Sequence, residues 1–112
     1  MTDLSVERCV ACEGGVPKLD GGEIATLLGE LDGWSLNDGG RIAKSWTFVD
    51  FATAVEAFNV ICRVAETENH HPDVCLTDYQ KLTVSLWTHA ISGLSRNDFI
   101  LAAKFDAEVA TP

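Results

Sequence analysis

The sequence predicts an α+β fold: an antiparallel four-stranded sheet with three helices packed on one face. Two observations carry that prediction. Short segments of alternating apolar and polar residues come in pairs joined by turn signals, as in hairpins. Apolar stripes at helical spacing stand before, between and after those pairs. The resulting order is helix, strand, strand, helix, strand, strand, helix.

Residues 1–19 form a leader segment, with Cys9-x-x-Cys12 followed by Gly14, Gly15 and Pro17. Asp20 with Glu23 three residues on is a capping-box pattern. Ile24, Leu27, Leu28 and Leu31 then recur along one helical stripe, and Gly33 is expected to end the helix. Trp34 to Leu36 is a short strand, and Asn37-Asp38-Gly39-Gly40 turns the chain into a second one, Arg41 to Val49. Ile42, Trp46 and Phe48 share a face of that strand; Lys44 interrupts it and is expected to snorkel at an edge.

Asp50 is placed to cap the second helix. Phe51, Ala54, Val55, Phe58, Ile61, Cys62 and Ala65 read as its apolar stripe, running to about Asn69 before Pro72 stops it. A short strand is expected around Val74 to Leu76. Lys81 to Thr88 alternates, with Leu82, Val84 and Leu86 on one side. Gly93 turns the chain, and Ser95 with Asp98 opens the last helix, along which Phe99, Ala102 and Ala103 follow.

A length of 112 residues suits one domain spanning 1–112. Hydrophobic residues make up 46%, enough for a shared core, and self-association would hide further apolar surface. The formal net charge of -9 opposes binding to phosphate backbones and anionic membranes. No apolar run reaches the roughly 18 residues of a bilayer span. Met1 to Glu7 lacks the basic start and apolar stretch of a secretory signal, so a cytoplasmic chain is expected.

The densest polar cluster is Glu66-Thr67-Glu68-Asn69-His70-His71-Pro72-Asp73. Glu66 and His70 are four apart, a spacing that lets the carboxylate orient the imidazole one turn on. Consecutive residues leaving a helix can both face one cleft, so His70 and His71 are candidates for a shared site. His89 ends the strand that begins near Lys81, and a strand end can meet a helix end at one rim of a layered fold. Imidazoles titrate near neutrality and supply an acid and a base together. The bland alternative is a solvated histidine pair with His89 as a hydrogen-bonded core residue.

Zinc is a weaker reading, because adjacent histidines rarely converge on one ion and no H-E-x-x-H ladder occurs. The single C-x-x-C has no second pair, and Cys62 and Cys75 read as buried or idle thiols more readily than as ligands. The Gly-Gly pairs match no phosphate-binding loop and read as turns.

Taken together, Glu66-x-x-x-His70-His71-Pro72-Asp73, Tyr79-x-Lys81-x-x-Val84, Thr88-His89 and Gly93-Leu94-Ser95-x-x-Asp98 resemble the pterin-4a-carbinolamine dehydratase family. The Cys9-x-x-Cys12-Glu13-Gly14-Gly15 stretch and Gly33-Trp34 are also similar to its members. The likeness spans nearly the whole chain and outweighs the solvated-histidine alternative.

The resemblance implies a dehydratase that converts 4a-hydroxytetrahydropterin into quinonoid dihydropterin with no metal or organic cofactor, supporting tetrahydropterin recycling. It implies a homodimer or homotetramer. His70, His71 and His89 correspond to the family's catalytic histidines, with His70 and His89 expected to transfer protons and His71 to hold the pterin. Glu66, Pro72, Thr88 and Asp98 correspond to residues lining or supporting the site, Trp34 to an aromatic near it, and Asn69 and Trp87 to Ala90 to residues flanking the substrate. Val74, Ala90 and Ser92 depart from common family residues. Relatives also include non-enzymatic modules, one type a dimerisation partner of a transcription factor and another similar to Rubisco assembly factors. A pterin-binding protein of molybdopterin or folate metabolism is a third reading.

Overall fold

Asp20 accepts from the backbone N–H of Glu23 while the Glu23 carboxylate accepts from the Asp20 N–H, and this reciprocal cap starts helix α1, Gly21–Leu28. The computed structural model describes residues 3–10 and 16–109. The expectations for Cys12, Glu13, Gly14 and Gly15 lie outside those residues. α1 stops at Gly29, one turn earlier than Gly33, because Glu30 and Leu31 donate to Leu27 and Leu28 in tight turns.

Strands β1, Ser35–Leu36, and β2, Ile42–Thr47, flank the expected turn. Gly40 takes a φ of 78° there, a conformation that glycine adopts without strain. Helix α2 runs Phe51–Glu68, with the Asp50 carboxylate accepting from the Thr53 N–H at its start. The strands β3, Asp73–Thr77, and β4, Lys81–Leu86, follow, and helix α3, Arg96–Glu108, closes the chain. The sheet order is β1-β2-β4-β3 and its three pairings are all antiparallel.

Register decides which residues share a face. Ile42 pairs with Leu86, Lys44 with Val84 and Trp46 with Leu82, while Val74 and Leu76 extend the row onto β3. This row faces the helices. Phe99, Leu101 and Phe105 of α3 are fully buried, and Ala54, Ala57, Ile61 and Ala65 of α2 form its buried stripe. Small alanines there let α2 approach its neighbours closely. Phe51 and Cys62 are exposed and Val55 and Phe58 half-buried, so the single expected stripe on α2 is two stripes.

Lys44 does not snorkel to water. Its Nζ lies 2.7 Å from Asp106 Oδ1 and 2.8 Å from the Asp32 carbonyl oxygen, and 5.0 Å from the centre of the Trp46 ring. The cation is accommodated on the core face because each of these groups answers its charge.

The described part of the leader is fastened to the body. A short 3-10 turn, Leu4–Val6, buries Leu4 against α3, and Lys104 Nζ donates to the Ser5 carbonyl. Glu68 accepts from the Cys9 N–H at 2.9 Å and pairs with Arg8 at 3.0 Å. Burial pushes its pKa up, but the Cys9 N–H, Lys104 and Arg8 outweigh that and hold it below the ordinary value. No helix among the described residues is long and apolar enough to cross a membrane.

Candidate functional site

The end of α2 sets the first half of the site. Asn69 takes the left-handed conformation (φ 52°, ψ 42°), a conformation that asparagine tolerates better than most side chains. The N–H of His70 returns to the Ala65 carbonyl and that of Asn69 to the Glu66 carbonyl, a Schellman closure. The helix therefore ends on Asn69, three residues before Pro72. The reversal also sends the two histidines to different places.

His70 turns inward and is 6% exposed. Its Nε2 lies 2.7 Å from Oδ1 of Asp98, which is fully buried at the start of α3. The other carboxylate oxygen, Oδ2, accepts from the Thr88 hydroxyl at 2.8 Å and from the Ser95 N–H at 3.0 Å. The Thr88 and Ser95 hydroxyls are themselves 2.8 Å apart. One buried carboxylate thus joins the end of α2, the second residue beyond β4 and the cap of α3. Every member of that network is hydrogen-bonded, as burial of a charged group requires.

His71 turns outward instead. Its Nε2 is 2.5 Å from Glu66 Oε2, and both side chains are exposed. The spacing of Glu66 to His70 suggested the other partner; the left-handed Asn69 moves the carboxylate's partner on by one residue. Glu66, His71 and Pro72 line a hollow of about 220 Å³ whose other walls are Phe58, Ile61, Cys62, Ala65 and Val74.

The second half comes from the segment after β4. Thr88 and Gly93 bridge one another and close a loop that holds the 3-10 turn His89–Ile91. Ser92 takes φ 49° in that loop, a backbone that glycine adopts more easily. A Cβ on Gly93 would come within 2.5 Å of Lys18 Cε, so the Lys18 side chain would have to shift to admit one. His89 and Ala90 are exposed. The His89 ring lies 6.4 Å from the Trp87 ring, tilted by 55°.

The site residues therefore fall into linked groups. His70, Thr88 and Asp98 share one hydrogen-bonded network; His71, Glu66 and Pro72 share one hollow; Trp87 and His89 are in ring contact. His71 and His89 each follow directly a residue that binds Asp98, so the network ties the groups together. Asn69 acts as the helix terminator and is exposed. Trp34 is placed elsewhere. It is buried edge-on to Trp46 and donates its indole N–H to Asp106, eight residues or about 12 Å of helix from Asp98.

Some participants were not read as site residues in the sequence. Ser95 is legible as a cap, but its hydroxyl also meets Thr88. Phe58 and Cys62 precede Glu66 at steps of four, the one available signal that they share its side of the helix. Among the described residues no cluster of three or more His, Cys, Asp or Glu side chains could hold a metal ion.

Residues 17–108 match the family described as pterin 4 alpha carbinolamine dehydratase. A protein of Rickettsia canadensis named "Putative pterin-4-alpha-carbinolamine dehydratase" is 44% identical over 110 residues, 97% of this chain and 100% of its own length. A protein of Rubrobacter xylanophilus with the same name is 39% identical over 106 residues, 95% of this chain and 98% of its own. A crystal structure from Brucella melitensis, described as a transcriptional coactivator/pterin dehydratase, aligns with a TM-score of 0.78 at 33% identity. It covers 84% of this chain and 100% of that one. A pterin dehydratase-like protein identified as a RuBisCO assembly factor aligns with a TM-score of 0.59 at 17% identity, over 72% of this chain and 94% of that one, a likeness of fold alone. With the match extending from the leader's end to the last turn of α3, the chain belongs to the pterin 4 alpha carbinolamine dehydratase family.

Proposed function

We propose that this protein dehydrates 4a-hydroxytetrahydropterin to quinonoid dihydropterin by histidine acid–base catalysis. The observation that carries the reading is the Asp98 carboxylate, which binds His70 on one oxygen and Thr88, the neighbour of His89, on the other. A carboxylate with two such partners keeps a helix end and the loop after a strand together, and with them the histidines they carry.

The reaction needs two proton movements. The bond from C4a to the hydroxyl breaks as that oxygen accepts a proton and leaves as water. The neighbouring ring nitrogen gives up its proton, and its electron pair forms the new double bond to C4a. One imidazolium and one neutral imidazole perform both steps. The sequence reading assigned them to His70 and His89. Burial of His70 and its tie to Asp98 favour a holding role for it, with the exposed His71 and His89 exchanging protons. Glu66 orients the His71 ring through Nε2. The apolar walls Phe58 and Val74 suit the flat face of a heterocycle.

The reading includes a homodimer or homotetramer, supported by the apolar side chains that α2 leaves uncovered. It also includes a cytoplasmic location, which the exposed thiols of Cys62 and Cys75 suit. A stopped-flow assay on freshly generated carbinolamine tests the activity. Turnover that persists with a chelator and falls in His70→Ala, His71→Ala and His89→Ala supports the mechanism. Unchanged rates in all three variants sink it. A protein that folds and self-associates but never dehydrates the substrate would favour the assembly-module reading, the role of the RuBisCO assembly factor of similar fold.

A further inference from the structure

The helix-free face of the sheet carries two side chains, Arg41 and Asp73, that the dehydratase reading does not use, linked through Trp87 to the site. Extending the β2–β4 register by one residue from Ile42 and Leu86 sets Arg41 beside Trp87. Odd-numbered positions on β2, β3 and β4 share this face, so Asp73 stands on it too, paired with Ser85. The Arg41 guanidinium carbon lies 4.7 Å from the centre of the Trp87 ring, well inside cation–π range. Its Nη1 donates to Asp73 Oδ2 at 2.9 Å. Gly40 is near the same indole: an added Cβ there would stand 3.8 Å from Cζ3, in ordinary contact. Trp87 in turn holds its ring 6.4 Å from that of His89.

We propose that Arg41 is a positioning residue for His89, acting through Trp87 and anchored by Asp73. This rests on the reading of His89 as a proton-transfer group. The physical need is plain. His89 is exposed and sits in a single 3-10 turn, so its ring has many orientations open to it unless a neighbour restricts them. A planar cation stacked on the indole fixes the indole, and the carboxylate of Asp73 fixes the cation. The three residues come from β3, the position just before β2 and the position just after β4, so the clamp ties together the ends of three adjacent strands. Lysine would keep the charge but lose the planar fork that stacks and binds together. The order of events is geometric and involves no covalent step.

The experiment compares wild type, Arg41→Met and Arg41→Lys by histidine-selective NMR and by stopped-flow dehydration. His89 is assigned from its loss in His89→Gln, and thermal melts verify that each variant is folded. The expected result is a shift of the His89 ring resonances in Arg41→Met, which reports a changed orientation against the indole. With it, kcat falls about tenfold while KM stays within about twofold, as for a loss of orientation and not of binding. Arg41→Lys is expected to recover part of both effects. His89 resonances in Arg41→Met that superimpose on wild type overturn the inference, whatever the rates. The NMR arm needs no substrate, so it judges the clamp even if wild-type protein fails to turn over, an outcome that would instead overturn the dehydratase reading.

Discussion

The Nε2 of His70 and Oδ1 of Asp98 are 2.7 Å apart inside the protein, with the imidazole 6% exposed and the carboxylate fully buried. The contact makes α3 a support for the end of α2. Removing the carboxylate would take a buried hydrogen-bond partner from His70, the Thr88 hydroxyl and the Ser95 N–H at once. Asp98→Ala is therefore expected to destabilise the fold by about 3 kcal/mol, the scale for breaking a buried pair while its partners stay in place. Urea unfolding followed by fluorescence measures it. A loss below about 0.5 kcal/mol, the range of an ordinary surface change, would mean that the network is not what joins these elements.

Glu66 and His71 are an opposite case, since their contact is short but both side chains are open to water. Solvent screening leaves such a pair worth little to stability. Glu66→Gln should change the unfolding free energy by less than about 0.5 kcal/mol, yet slow dehydration about tenfold by loosening the His71 ring. Equal losses in stability and rate would assign the pair a structural role instead.

The difference between these pairs also marks what the sequence could disclose. Capping boxes at Asp20 and Ser95, and the alternation of Leu82, Val84 and Leu86, are local patterns, and each element they announce is present. The His70–Asp98 contact spans 28 positions and obeys no periodicity, so no spacing points to it. Asn69 is similar: the sequence ends the helix at about Asn69, as found, but no local pattern announces the left-handed backbone there that sends the two histidines to different places. The family resemblance gathered the histidines without saying which would be buried. The partners of Arg41 were not legible either, because side-chain neighbours across a sheet depend on register and the register appears only once the strands are paired, while the Trp34–Asp106 contact spans 72 positions.

Acid should release the N-terminal arm before it unfolds the rest. Glu68 fastens Arg8 and the Cys9 N–H, and its pKa is held below the ordinary value despite burial. Glu7 is lowered as well, chiefly by its hydrogen bond from Arg96. A depressed carboxylate pKa contributes stability that is complete above the unfolded value, about 4.3, and is lost as pH falls through the folded one. Hydrogen exchange at the Cys9 and Val10 amides should therefore accelerate on moving from neutral pH to below about pH 4, after correction for the intrinsic rate. Glu68→Gln should show the faster exchange already at neutral pH and cost about 1–2 kcal/mol. Protection that does not change with pH would show that the arm is held by other contacts: buried Leu4, Lys104 on the Ser5 carbonyl, and the Asn97 side chain, which bonds the Val10 backbone.

The second apolar stripe on α2 bears on assembly. Phe51, Val55, Phe58 and Cys62 recur at steps of four, three and four, and so lie along one line of the helix. Ala54, Ala57, Ile61 and Ala65 already fill the inner side, so the line has no partner within the described chain to bury it fully. Phe51 is 55% exposed and the neighbouring Val49 82%. Pairing the Phe51 and Val55 end of this line, which lies away from the hollow, with its copy would remove apolar area from water at roughly 25 cal/mol per Å², which favours self-association over solvation. Light scattering coupled to gel filtration should give a dimer or tetramer for wild type. Phe51→Glu with Val55→Glu places charges on the seam without entering the core, and should yield a folded species of lower mass. If the double variant keeps the wild-type mass, the copies meet through another surface; if wild type is itself a monomer, the proposed assembly fails.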